Sequence, residues 1–238
     1  MKIATTHINC DLGEGMANEV AIIPYINACS LACGGHFGNL KSIEKSMRLA
    51  QEHRVICGAH PSYPDLENFG RLSLKMTKEA FIRSIQKQLI LFSEVYKKLY
   101  NSTLIPHIKA HGALYNDLCK NSILTDWYLE ALAAFQFTEI YTQAQGILYE
   151  KATTIGLKIK KEAFIDRLYT SEGFLVSRKL AGSVIEKDQE VLTQFKTHLE
   201  HGHFISIDGS SVQVAADTYC LHGDHPNTLA RLMLLAKN

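Results

Sequence analysis

The stretch VICGAHPSYPDLENFGR, residues 55–71, decides the fold. It opens as the short apolar run Val55, Ile56, Cys57, which reads as a buried strand, and the small residues Gly58 and Ala59 carry the chain on to His60. Pro61 and Pro64 then end regular structure, because neither donates to a ladder and each biases the residue before it. Asp65, Phe69, Gly70 and Arg71 follow on a loop, and the next helix begins near Thr77, whose hydroxyl can cap it. An apolar strand thus delivers a titratable side chain to its C-terminal tip, and a long polar loop follows.

The same grammar recurs about seven times along the chain. Residues 3–10 read as a first strand, tipped by Asp11 and Glu14 among glycines. Residues 22–33 carry a second strand, ending in GGHFGN with His36. Residues 40–53 space Ile43, Met47 and Ala50 at helical intervals, and residues 77–100 put Phe81, Ile85, Leu89, Phe92 and Tyr96 on one stripe. Residues 104–108 form a strand despite Pro106, tipped by Lys109, His111, Tyr115 and Asn116. Further on, residues 139–142, 157–159, 204–207 and 218–221 read as strands, with Glu162, Asp166 and Arg167 on a loop and His222 and Asp224 at the last tip. Helices are expected over 124–135, 145–155, 186–200 and 227–235.

Strands alternating with helices imply a parallel sheet covered by helices. In an open sheet the strand tips would lie in a row, whereas a β/α barrel gathers all of them around one mouth. The barrel accounts for more of the pattern, as a single domain over residues 1–238.

Composition narrows the function. The chain has 25 basic and 24 acidic residues and no basic stripe, so nucleic acid and anionic membrane are not expected partners. No apolar run approaches the ~18 residues of a membrane span, and the N-terminus shows no signal-peptide core. The six cysteines read as buried free thiols, which places the chain in the cytoplasm. No GxxxxGK[ST] loop, strand-linked GxGxxG or GxSxG elbow is present, so nucleotide chemistry would have to come from a partner.

The expected mouth holds two open chemistries. Asp11, His36 and His60 suit a divalent metal, since carboxylate and imidazole are ligands for zinc and similar ions. The same groups suit metal-free general acid–base work, because histidine titrates near neutral pH. Lysine and arginine would hold a carboxylate or a developing oxyanion. Asp65 and Asp166 have a simpler reading as loop caps, Arg71 and Arg167 as their partners, and Tyr63 and Tyr115 as loop packing. His7, His53, His198, His201 and His203 read as surface or internally satisfied groups.

Six blocks together resemble one family: NCDLGEG (9–15), ACGGHFGN (32–39), GAHPSYPDLENFGR (58–71), KAHGALYN (109–116), EAFIDRLY (162–169) and LHGDHP (221–226). They resemble the LamB/YcsF family, the A subunits of prokaryotic 5-oxoprolinase, in order and over essentially the whole chain. The resemblance implies a seven-stranded β/α barrel related to the glycoside hydrolase/deacetylase superfamily. It also implies ATP-dependent opening of the 5-oxoproline lactam to L-glutamate together with B and C subunits, ATP being used through those partners. On this reading Asp11, Glu14, His36, His60, Lys109, His111, Asp166, His222 and Asp224 carry the catalysis. Tyr63, Asp65, Arg71, Tyr115, Asn116 and Arg167 bind substrate. The pattern departs from the family at Ser30, Gly35, Asn39, Leu72 and Ala110, where asparagine, phenylalanine, aspartate, arginine and proline are usual. Two rival functions remain: a metal-dependent hydrolase or deacetylase of carbohydrate-like substrates, and a non-catalytic regulatory partner. Assembly as a homo-oligomer is left open by the sequence.

Overall fold

The computed structural model describes residues 6–178 and 180–237; residues 3–5 of the expected first strand lie outside them. The elements run β1 (Ile8–Leu12), α1 (Glu19–Ile22), a 3-10 turn (Ile23–Tyr25), β2 (Ala28–Ala32), α2 (Leu40–Glu52), β3 (Ile56–His60) and α3 (Lys78–Tyr100). They continue as β4 (Ile105–Lys109), α4 (Gly112–Leu118), α5 (Ser122–Leu132), β5 (Phe137–Thr142), α6 (Ile147–Thr154) and β6 (Ile159–Phe164). The last part is α7 (Asp188–His201), β7 (His203–Ile205), β8 (Ser211–Gln213), β9 (Thr218–Cys220) and α8 (Thr228–Lys237).

Seven of these strands, β1-β2-β3-β4-β5-β6-β9, close a barrel in which every pairing is parallel. β1, β2 and β9 are buried along their whole length, as expected of parallel strands that face helices outside and packed side chains inside. The two long helices form where the sequence places them. Thr77 Oγ1 accepts the Ala80 N–H at 3.3 Å to start α3, whose predicted stripe of Phe81, Ile85, Leu89, Phe92 and Tyr96 is buried. Asn39 and Ser42 form a capping box at the start of α2, and Ile43, Met47 and Ala50 turn inward.

Three expectations are refined. The run 22–33 carries its strand in its second half: Pro24 sits in a 3-10 turn, and β2 begins at Ala28. The run 204–207 is not a barrel strand. β7 instead pairs antiparallel with β8 in a separate hairpin, and β9 completes the barrel. Glu162 is not on a loop but in β6, which reaches Phe164. Pro106 is accommodated because the β3–β4 ladder carries a single registered pair, Ala59 with Ile108, so one missing donor costs little there.

The barrel interior is polar rather than aliphatic. His107 stacks on Tyr141 with ring centroids 3.9 Å apart, and its Nε2 meets Ser30 Oγ at 3.1 Å. Gly58 makes this possible: a Cβ there would lie 2.2 Å from His107 Cδ2 and 2.4 Å from its carbonyl oxygen. All six cysteines are buried and free.

Candidate active site

Alternation along each strand sends every second residue inward, and at the C-terminal end of the barrel these residues are charged. Lys109 at the tip of β4 is the centre. Its Nζ lies 2.8 Å from Asp11 Oδ1 on β1, 2.8 Å from Glu162 Oε1 on β6 and 3.3 Å from Asn9 Oδ1. The Cys220 thiol is 3.2 Å away and the Phe164 ring 5.1 Å. Burial alone would lower the lysine, but Asp11, Cys220 and Glu162 hold it well above its ordinary value. Burial likewise opposes ionisation of Asp11, and His60 and Lys109 overcome it, holding that carboxyl well below the usual range.

Three histidines from successive strand ends pack beside this ion cluster. His60 Nδ1 donates to the Lys109 carbonyl at 2.8 Å, and His111 Nε2 donates to the Phe69 carbonyl at 2.9 Å. Both tautomers are therefore set by backbone acceptors. The remaining nitrogens, His60 Nε2 and His111 Nδ1, face each other at 3.0 Å. Two lone pairs cannot share that contact, so the pair holds one proton in common or two bonds to a cation. Burial, with His36 and His60, pushes His111 well below the usual histidine value. His60 Nε2 is also 3.4 Å from Asp11 Oδ2, and His111 Nδ1 is 3.4 Å from Glu14 Oε1. His36 stacks on His111 at 3.6 Å and meets Glu14 Oε1 through Nε2 at 3.0 Å. Burial lowers it against the pull of Glu14.

Metal ligation is judged on these contacts. Glu14, His36 and His111 present ligand atoms within 4.8 Å of one another. A ligating histidine ordinarily donates its second ring N–H to an acceptor. His60 and His111 do so, but His36 Nδ1 is buried without a partner. The converging ligand atoms are those of Glu14, His36 and His111, with His60 and Asp11 adjoining them through the contacts above.

Above this floor opens a cavity of about 320 Å³, in the range of small-molecule sites. Asp11, Glu14, Lys109 and His111 form its base, with Tyr115, Asn116, Arg71, Arg167, His222 and Asp224 among the walls. His60 lies just beneath, fully buried. Asp166 stands behind His222, accepting its Nδ1 at 2.9 Å and its backbone N–H at 3.0 Å. Burial opposes ionisation of Asp166, but His222 outweighs it and holds the carboxyl at about 2. Asp166 is thus committed to His222, and Arg167 acts on it through its charge. Arg167 is buried and spends its guanidinium on the Ser183 and Val176 carbonyls, which ties those two loop positions to the end of β6.

Two expected substrate contacts lie outside the cavity. Tyr63 donates to Asp117 Oδ2 at 2.8 Å and packs on Phe81. Asp65 caps its own loop by accepting the Asn68 N–H at 3.0 Å. Arg71 pairs with Asp224 rather than Asp65, at 2.6 Å. Among the departures from the family pattern, Asn39 serves as a helix cap, a role aspartate fills equally. A side chain at Gly35 would meet Gln88 Oε1 and Ser62 Oγ at 2.3 Å, so phenylalanine has no room there. Glu162, Asn9, Cys220 and Arg178 belong to the site and were not singled out from the sequence. Inward alternation with Phe164 in β6 is the signal that points to Glu162.

Comparison with known proteins bears on the fold and the family. A lactam utilization protein from Thermus thermophilus superposes with a TM-score of 0.87 at 29% identity, over 100% of this chain and 96% of that one. An aldo-keto-reductase-like chain from Pseudomonas aeruginosa aligns with a TM-score of 0.48 at 12% identity, over 96% of this chain and 88% of that one, which carries no argument. The LamB/YcsF family model matches residues 6–237, nearly the whole length, and the chain belongs to the LamB/YcsF family.

Proposed function

We propose that this chain is the A subunit of an ATP-dependent 5-oxoprolinase and opens the lactam of 5-oxoproline to L-glutamate with B and C subunits. The family match and the lactam-utilization neighbour support a lactam substrate. The observation that carries the hydrolytic role is the cavity floor, where an ionised Asp11 lies between Lys109 and a proton-sharing histidine pair. A lactam is a resonance-stabilised amide and a poor electrophile, so activation of its oxygen by phosphoryl transfer from ATP on the partners comes first. Water then attacks the ring carbon and gives a proton to Asp11, while His222, oriented by Asp166, protonates the nitrogen as the C–N bond breaks. A second water cleaves the resulting acyl phosphate to the side-chain carboxylate and inorganic phosphate.

Lys109 has three N–H donors, and Asp11, Glu162 and Asn9 surround them. Its task on this reading is to keep Asp11 ionised rather than to reach the oxyanion. The buried thiols agree with work in the cytoplasm, and among the described residues no helix is long and apolar enough to cross a membrane. The test is glutamate release from 5-oxoproline and ATP by this chain alone and with its B and C partners. Release only in the full mixture supports the reading, and no release in that mixture overturns it.

One observation favours a second reading. The facing lone pairs of His60 and His111, flanked by two carboxylates, would suit a divalent cation in a metal-dependent hydrolase. Metal analysis of the purified protein, with turnover measured before and after chelation, separates the two.

A further inference from the structure

Five cations surround the cavity: Arg71, Lys109, Lys120, Arg167 and Arg178. Three are occupied. Lys109 is held by Asp11 and Glu162, and Arg167 by two loop carbonyls. The Lys120 ammonium lies over the Phe174 ring at 5.3 Å. Arg71 and Arg178 remain, and both point at a single carboxylate oxygen. Arg71 Nη2 is 2.6 Å from Asp224 Oδ2, and Arg178 Nη1 is 3.6 Å from the same atom. The three side chains come from different loops, after β3, after β6 and after β9, so they meet only because the barrel closes. All three are part-exposed at the cavity wall, and two guanidiniums against one carboxylate leave a net positive charge.

We propose that Arg71 and Arg178 form the clamp that receives the substrate's carboxylate, and that Asp224 occupies the two arginines until the substrate's anion replaces it. Asp224, expected from the sequence to be catalytic, is on this account the anion that the substrate displaces. The clamp rests on the lactam reading above and deepens it by naming the recognised group: a ring lactam that carries an anionic substituent, rather than a lactam alone. Planar guanidinium forks suit a carboxylate bidentately. Arg71 is further steadied by the Phe69 ring, 5.2 Å from its Cζ.

The test uses the full three-subunit mixture with 5-oxoproline and with 2-pyrrolidinone, which has the ring and no carboxylate. Wild-type enzyme should strongly prefer 5-oxoproline. Arg178→Met and Arg71→Met should each raise KM for 5-oxoproline about 10-fold to 100-fold, the loss falling on KM rather than kcat. Arg178→Lys should restore part of that loss. Asp224→Asn, which removes the competing anion and leaves the loop intact, should lower KM. Turnover of 5-oxoproline by both methionine variants with unchanged KM, or a raised KM in Asp224→Asn, would overturn the clamp while leaving the lactam reading standing. Absence of wild-type turnover would overturn the lactam reading, and the clamp with it.

Discussion

Replacing Lys109 by methionine tests the electrostatic core of the site. The side chain is buried, and its ammonium compensates two buried carboxylates, Asp11 and Glu162, each 2.8 Å away. Methionine fills similar volume and removes the charge. Asp11 keeps His60 as a neighbour at 3.4 Å, but Glu162 loses its ion-pair partner, and neither of its oxygens has a hydrogen bond. Breaking a buried pair in this way costs about 3–5 kcal/mol. The cost depends on pH with a definite sign. Without the lysine, burial penalises the charged form of a carboxylate left uncompensated. The folded state then holds protons that the unfolded state releases, so stability falls as pH rises from about 4, by about 1.4 kcal/mol per unit for each such group. Urea unfolding of Lys109→Met at pH 5 and pH 8 should therefore show the larger deficit at pH 8. Adding Glu162→Gln should recover about 1–3 kcal/mol, because it removes the stranded charge. The reasoning fails if Lys109→Met costs under about 1 kcal/mol at pH 8, or if the second substitution deepens the loss.

The Asp166–His222 pair gives the opposite pH signature. With the folded carboxyl at about 2 against about 3.9 unfolded, the pair contributes about 2–3 kcal/mol that is present above pH 4 and lost as pH falls towards 2. Acid titration of wild type and Asp166→Asn by circular dichroism should show that slope only in the wild type; equal slopes would refute it. Gly58→Ala should destabilise by about 1–3 kcal/mol or more, since the new methyl meets both the His107 ring and its carbonyl oxygen. Adding His107→Ala should relieve only part of that loss in urea unfolding, and complete relief would show that the backbone contact does not matter.

Much of the architecture was legible because the core-facing sides of the helices obey simple rules. The α3 stripe from Phe81 to Tyr96 and the Thr77 cap follow from helical period and capping chemistry alone. His36, His60, His111 and His222 follow strands next to glycine or proline, and all four come to the mouth or directly beneath it. The β6 segment was harder. Its run of Lys160, Lys161 and Glu162 looks solvated, yet Glu162 is fully buried because the barrel interior is itself polar. The run 204–207 shows the converse limit: a short apolar stretch has the same pattern in a barrel strand and in the outlying β7–β8 hairpin. The partners of Arg71 and Arg167 were not accessible either. Adjacent Asp65 and Asp166 are the natural guesses, but closure of the barrel brings Asp224 to Arg71 and loop carbonyls to Arg167. Arg178 lies in a stretch with no motif and gains meaning only from what it faces.

The central claim is that this chain supplies the hydrolytic site of a lactam-opening enzyme. Its most direct test is glutamate release from 5-oxoproline and ATP in the three-subunit mixture, with wild-type chain and with Asp11→Asn, both shown to be folded by circular dichroism. The account predicts release with the wild type and a fall of at least about 100-fold with the variant. Equal release by the two would contradict it.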